Sequence, residues 1–290
     1  MTRDKAQNPY KILVTGAGGQ LGQELVRMRK MGAEMIGLDR SGLDITDEAA
    51  CRRALREIRP DAVIHAAAYT AVDKAESEPE RAHLVNVIGT RHVAAAAEDV
   101  GAKFCYISTD YVFDGAASRP YREDDPASPR TVYGRTKLEG EKEALTACRR
   151  TFVVRTSWVY GKYGANFVKT MLSLAKTQPV LKVVNDQTGS PTYTRDLASF
   201  LTELVMTDRY GIYHASNTGS CTWYEFARAI FAERGISVEV VPCTTEEFPR
   251  PAPRPQYSVL GHEAMERAGF RPLRHWREAL REFLGDPDIV

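Results

Sequence analysis

Tyr133-Gly-Arg-Thr-Lys137 sets a phenol and an ammonium four residues apart, and on a helix that spacing puts both on one face. Hydride reduction of a ketone leaves an alkoxide that must be protonated, and a phenol with an ordinary pKa of about 10 is a weak donor near neutrality. A lysine ammonium and the positive ring of an oxidised nicotinamide would lower that pKa, so the pair suits general acid catalysis at a carbonyl. Upstream, Ser108-Thr-Asp-Tyr-Val-Phe113 brings hydroxyls and a carboxylate. Thr109 is the first choice to hydrogen-bond the substrate oxygen, Ser108 the second, and Asp110 is placed to touch substrate hydroxyls. The plainer alternative is that they satisfy backbone groups at a strand end.

A second group of residues suits a dinucleotide. Thr15-Gly-Ala-Gly-Gly-Gln-Leu-Gly22 places glycines at 16, 19 and 22 with an extra one at 18. Gly16 permits a tight turn, Gly19 lets the backbone approach a pyrophosphate, and Gly22 allows close packing of the helix on the sheet. That helix opens with Gln20 and Leu21, and its unpaired N–H groups favour phosphate. Asp39 ends the next apolar run and suits a ribose 2′-hydroxyl, which favours NADH, whereas Arg40 suits a 2′-phosphate, which favours NADPH. The two point in opposite directions and both cofactors stay open. Asp44-Ile45 could flank adenine, with helix capping as the alternative for Asp44. Ala66-Ala67-Ala68-Tyr69-Thr70 is small enough for a cofactor to lie against its backbone.

Regular elements must hold these residues. Strands are expected over 11–15, 34–38, 62–65, 103–107 and 151–155, and helices over 20–31, 47–58, 79–100 and 133–147. Short apolar runs alternating with amphipathic segments predict an α/β fold, a Rossmann-type doubly wound parallel sheet with a smaller C-terminal substrate-binding lobe. The expected organisation is a polar lead-in (1–10), a dinucleotide-binding domain (11–160) and a mixed segment (161–290) supplying the last sheet strands and the lobe. Thr222-Trp-Tyr-Glu225 reads as a capping box for a helix ending near Glu233.

Composition narrows the function classes. The 290 residues are 43% hydrophobic and 27% charged, with 39 Lys plus Arg against 38 Asp plus Glu, a net charge of +1. That balance fits a soluble globular enzyme and argues against a nucleic-acid or membrane partner. The five cysteines (51, 105, 148, 221, 243) form no CxxC pair or Cys/His cluster, so no metal site and no disulfide framework is expected. A polar start (1–11) unlike a signal peptide and the lack of a membrane-length apolar run predict a cytoplasmic location.

Taken together, TGxxGxxG, the acidic end of the second strand, the strand-four hydroxyl and YxxxK resemble the extended short-chain dehydrogenase/reductase superfamily. The similarity is strongest to its dTDP-4-dehydrorhamnose reductase family and covers nearly the whole chain. It is carried by GGQLGQEL, AAAYTAVDKAESEPE, STDYVFDG, VYGRTKLEGE, RTSWVYG, NFVKTML, VNDQTGSPT and PAPRPQYS. The resemblance implies an NAD(P)H-dependent oxidoreductase acting on a nucleotide sugar, reducing the 4-keto group of dTDP-4-dehydro-L-rhamnose to dTDP-L-rhamnose. It implies Tyr133 as proton donor, with Lys137 and Thr109 assisting. It also implies Asp110 and Trp158 at the deoxysugar, where an aromatic face would cover the apolar side of the ring. Asn166 matches a position near the substrate, with a helix N-cap as the plain alternative, and Arg254 is the candidate for the diphosphate. Pro253 and Tyr257 stand where the family often has arginine and asparagine. The family also uses Mg²⁺ at acidic residues that help dimerisation; Glu24 fits that pattern, but Arg195 stands where a carboxylate is expected, so no metal is predicted. Monomer and homodimer both stay open.

Other readings share this core. A dehydratase would carry adjacent Asp-Glu after the threonine, whereas Asp110 is followed by Tyr111. A related epimerase would consume no reduced cofactor, and a non-catalytic NADP(H)-binding regulatory subunit would turn nothing over.

Overall fold

A computed structural model gives the structure of residues 9–289. Residues 1–8 of the expected lead-in lie outside the described residues. Six strands, β1 (Tyr10–Thr15), β2 (Ala33–Leu38), β3 (Ala62–His65), β4 (Lys103–Thr109), β5 (Thr151–Thr156) and β6 (Gly211–His214), form one sheet in the order β6-β5-β4-β3-β1-β2. All neighbours pair parallel. Both faces of such a sheet are covered, which is why Ile12–Val14, Ala62–Ile64 and Phe152–Val154 are unbroken apolar runs with no exposed surface. Strand order reverses between β1 and β3, so the loops after them diverge and open a crevice at the carboxyl edge. The glycine-rich turn and the Ala66–Thr70 segment follow those two strands.

The expected helix over 79–100 is interrupted. Pro79–His83 leads into a wider π-helical turn, Leu84–Gly89, before Thr90–Val100 resumes the α form. The turn presents Asn86, whose Oδ1 accepts from Tyr69 N (2.8 Å) and whose Nδ2 donates to Thr136 Oγ1 (3.0 Å), tying the segment after β3 to the helix Val132–Ala147. The first helix, Gln20–Arg27, stops short of the expected Met31 because Met28 is extended and the chain turns into β2.

A second core lies beyond the sheet. Tyr160, Val168, Phe226, Ile230, Trp276 and Phe283 are buried there among the helices Phe167–Ala175, Trp223–Arg234 and Trp276–Leu284. The capping box forms as expected: Thr222 Oγ1 accepts from Glu225 N (3.1 Å) and the Glu225 carboxylate accepts from Thr222 N (2.8 Å). The helix Thr194–Val205 returns to the sheet instead, burying Leu197, Leu201 and Leu204 against it. Among the described residues no helix is long and apolar enough to cross a membrane.

Candidate active site

One cleft of about 1170 Å³ runs from the end of β1 into the space between the two cores. At its sheet end stand Gly19, Gln20, Leu21, Gly22, Ala66, Ala68 and Thr70. Gly16 has φ +70°, and a Cβ there would stand 2.6 Å from Ala67 N, so the turn needs glycine on both counts. A Cβ on Gly22 would run into Gly16 O and Ala17 Cα; this glycine packs on the loop's own backbone, not on the sheet as expected. The helix Gln20–Arg27 begins at Gly19 with no side chain capping it, so its first N–H groups are free for an anion. A dinucleotide pyrophosphate fits this cradle.

Seven of the expected cofactor residues, Gly16, Asp39, Arg40, Asp44, Ile45, Ala67 and Tyr69, are not among those lining the cleft. Asp39 is exposed at the end of β2, and its Oδ1 accepts from Ser41 Oγ (2.6 Å), Ser41 N (2.9 Å) and Gly42 N (3.1 Å), which holds its carboxyl below the usual range. Arg40 beside it is exposed. Asp44 Oδ1 accepts from Thr46 Oγ1 (2.7 Å) and Thr46 N (3.0 Å), and the next helix is capped by Asp47 instead. Ile45 is core, packed against Gly89. Ala67 and Tyr69 also turn away, Ala67 onto the core and Tyr69 to donate its hydroxyl to Glu78 (2.9 Å).

Thr109, Asp110, Tyr133 and Lys137 converge at the centre of the cleft. Thr131 caps the helix Val132–Ala147 by accepting from Gly134 N (2.9 Å), and the first turn carries Tyr133. Lys137 Nζ donates to Ile107 O (2.6 Å) and lies 4.0 Å from the centre of the Tyr106 ring. Burial pushes Lys137 down to about 7. Burial also pushes Tyr133 up to about 12, because desolvation outweighs the pull of Thr109 beside it; the lowering expected from the sequence draws on the charge of an oxidised nicotinamide as well as on Lys137. Ser108 lines the cleft as well, but its hydroxyl donates to Glu141 Oε1 (2.5 Å), whereas Thr109 donates to Asp110 Oδ1 (2.9 Å) beside Tyr133.

Further out the wall is aromatic. Trp158 lines the cleft in the left-handed region (φ +47°), rare for a bulky residue. Its indole stacks on Trp223 with ring centres 3.5 Å apart, and Phe167 leans on Trp223 at 4.6 Å. Arg254 also lines the cleft, donating from Nη2 to Asp73 Oδ2 (2.8 Å) and from Nη1 to Ala252 O (3.1 Å). Asn166 is the N-cap of Phe167–Ala175, accepting from Lys169 N (3.1 Å) and donating to Gln20 Oε1 (3.0 Å), so the plain alternative describes it.

A family model described as the RmlD substrate binding domain matches residues 10–288. The chain belongs to this RmlD family. It is 50% identical over 94% of its length to the spore coat polysaccharide biosynthesis protein SpsK of Bacillus subtilis, covering 96% of that protein. It is 49% identical to a dTDP-4-dehydrorhamnose reductase of Streptomyces griseus, with 95% of this chain and 94% of that protein covered. A solved dTDP-4-dehydrorhamnose reductase from Bacillus anthracis, in complex with NADP, superposes with a TM-score of 0.93 at 45% identity, covering 95% of this chain and 98% of that one.

Several cleft residues of this RmlD family member escaped the sequence reading. Asp73 sits inside the AVDKAESEPE segment, but nothing local shows that it pairs with Arg254. Trp223 was legible only as the start of a capped helix. Tyr111, Phe248 and Arg250 line the cleft as well, with the Arg250 guanidinium 4.7 Å from the centre of the Phe248 ring. The residues considered for Mg²⁺ do not fit it. Glu24 accepts from Thr194 Oγ1 (3.1 Å) with the Arg195 charge nearby, and Arg195 itself pairs with Glu282 (3.0 Å). Among the described residues no three His, Cys, Asp or Glu side chains are grouped to hold a metal.

Two predictions arise from this wall of the cleft. A Cβ on Gly189 would stand 2.5 to 2.7 Å from Cε2, Cζ2 and Nε1 of Trp158. Gly189→Ala is therefore expected to displace the indole and raise the KM for the sugar substrate several-fold, with the dinucleotide Kd unchanged, as read by steady-state kinetics and cofactor titration. Asp110 is 4% exposed; Oδ1 accepts from Thr109 (2.9 Å), Oδ2 has no partner, and burial pushes the carboxyl up to about 6. An acid whose folded pKa exceeds its unfolded one costs no stability below about pH 4, and the penalty grows as pH rises towards the folded value. Asp110→Asn should accordingly raise Tm at pH 8 and leave it unchanged near pH 4, by calorimetry at both.

Proposed function

We propose that this chain catalyses the NAD(P)H-dependent reduction of the 4-keto group of dTDP-4-dehydro-L-rhamnose to dTDP-L-rhamnose, with Tyr133 as the proton donor. The observation that carries this reading is the convergence of Thr109, Tyr133 and Lys137 on the cleft that also receives the uncapped helix start at Gly19. A relative named for this activity, 49% identical over 95% of the chain, supports it. When bound, the reduced dinucleotide supplies the hydride. The chain's own groups do the rest: the N–H groups after Gly19 hold the pyrophosphate, and Thr109 hydrogen-bonds the sugar O4. The Tyr133 phenol, protonated at neutral pH, gives its proton to that oxygen as the alkoxide forms. Lys137 stabilises the phenolate left behind. Trp158 and Asp110 orient the deoxysugar, and Arg254, turning from Asp73, meets the diphosphate. The five cysteines are free buried thiols, which suits a reducing, cytoplasmic setting.

The test follows absorbance at 340 nm with purified protein, NADPH or NADH, and dTDP-4-dehydro-L-rhamnose. Oxidation of one reduced cofactor per dTDP-L-rhamnose formed is expected, and comparing the two cofactors decides between them. Product without net oxidation would replace the reading with an epimerase. Cofactor binding without turnover would replace it with a reductase for another nucleotide sugar or a regulatory subunit.

A further inference from the structure

Behind the reacting end of the cleft lies a buried ion pair that the chemistry above does not use. Arg155 on β5 donates from Nε to Glu141 Oε1 (2.9 Å) and from Nη2 to Glu141 Oε2 (2.8 Å), with the two side chains 4% and 3% exposed. Arg155 Nη1 also donates to Glu123 O (3.3 Å), and its guanidinium lies 5.1 Å from the centre of the Phe113 ring. A pair of this kind brings little net stability, because desolvating two charges offsets their attraction. Its connections lead to the catalytic groups. Ser108, the residue before Thr109, donates to Glu141 Oε1 (2.5 Å), and Glu141 stands one helical turn beyond Lys137 on the same face.

The groups around Lys137 come from three elements. From β4 come the Ile107 carbonyl, which accepts from Nζ, and the Tyr106 ring; from its own helix comes Glu141, with Tyr133 one turn earlier on the same face. From β3 comes His65, whose ring is bonded to Thr15 Oγ1 (2.7 Å) and which burial pushes down to about 3, so that it is neutral. Of these, Glu141 is the group whose charge favours the ammonium, against the burial that opposes it.

We infer that Glu141 is a positioning residue: clamped by Arg155, its carboxylate holds Lys137 as an ammonium and, through Ser108, fixes the strand end that presents Thr109. The catalytic half of this inference rests on the proposed reduction, whereas the coupling of charge between Glu141 and Lys137 exists without any substrate.

The test uses whole protein carrying lysine labelled with ¹³C at Cε, the Lys137 signal being identified by its loss in Lys137→Met. In the wild type this signal is expected to titrate with a midpoint at about 7. In Glu141→Gln the midpoint should fall by about one pH unit or more, a tenfold or greater loss of proton affinity. Ser108→Ala keeps the charge and should leave the midpoint in place, while kcat falls several-fold at unchanged cofactor KM. With the 4-keto sugar, the loss of turnover on the alkaline side should move to lower pH in Glu141→Gln by the same amount as the Lys137 midpoint; a merely structural defect would lower turnover equally at every pH. If Glu141→Gln does not fold because Arg155 is left unpaired, Glu141→Gln/Arg155→Gln removes both charges and should still move the midpoint down, by less than the single variant because losing the Arg155 cation favours the ammonium. An unmoved Lys137 midpoint in a folded variant overturns the coupling, and an unmoved turnover profile beside a shifted midpoint overturns its role in the reaction. Undiminished kcat in Ser108→Ala overturns the link to Thr109. A wild type that titrates as expected but reduces no 4-keto sugar supports the coupling and sinks the reductase reading instead.

Discussion

Tyr133→Phe is expected to lower turnover at least ~100-fold while leaving dinucleotide affinity near the wild-type value. The substitution keeps the ring, and with it the edge-on contact to Tyr111 at 5.6 Å, and removes only the hydroxyl. No cavity opens and the helix cap at Thr131 is untouched, so folding is preserved. What is lost is the proton. The neighbouring groups do not replace it: the Thr109 hydroxyl is a far weaker acid than a phenol, and the Lys137 ammonium is held against the Ile107 carbonyl and the Tyr106 ring. Steady-state oxidation at 340 nm, paired with a fluorescence titration of NADPH, reads both quantities. Turnover near that of the wild type would remove Tyr133 from the chemistry.

Gly22→Ala carries the second large effect, and it falls on the cofactor. The added methyl would collide with Gly16 O and Ala17 Cα, which are backbone and have no rotamer to yield. The helix start and the glycine turn must therefore separate, at a cost of roughly 1–3 kcal/mol for such overpacking; borne by the cofactor cradle, that is about five-fold to a hundred-fold in Kd for the dinucleotide. The reacting groups lie on other elements, so kcat at saturating cofactor should stay within about a factor of three. Gly18→Ala is the control, because its Cβ would meet nothing closer than Asp39 Cβ at 3.5 Å. Equal cofactor affinity in Gly22→Ala and Gly18→Ala would show that the close approach at Gly22 is not what shapes the cradle.

The difference between these two glycines separates what sequence reading could reach from what it could not. A glycine-rich turn after an apolar run and before a helix is a local pattern, and so is the spacing of Tyr133 and Lys137. Spacing already sets Gly22 apart from the extra Gly18, but only the structure shows that what Gly22 must meet is Gly16 O and Ala17 Cα. The same holds for the polar residues. Asp39 and Asp44 have the composition of ligand-binding residues, and one oxygen of each, Oδ1, is taken by Ser41 and Thr46 two positions on. Asn166 spends its side chain on Lys169 N and on Gln20, a residue 146 positions away. Trp223 reads as the first residue of a capped helix, and becomes part of the cleft only because Trp158 arrives from β5 to stack on it.

By itself the sequence determined the alternation of strands and helices, the parallel sheet, the glycine turn and the pairing of phenol with ammonium on one helical face. These follow from periodicity and short-range geometry, which act between residues a few positions apart. The tertiary structure alone decided that Ser108 turns its hydroxyl to Glu141, that Trp158 stacks on Trp223, and that Arg254 meets Asp73 across 181 positions. Those choices belong to pairs of groups brought together by packing, and a polar atom's availability depends on the partner that reaches it first.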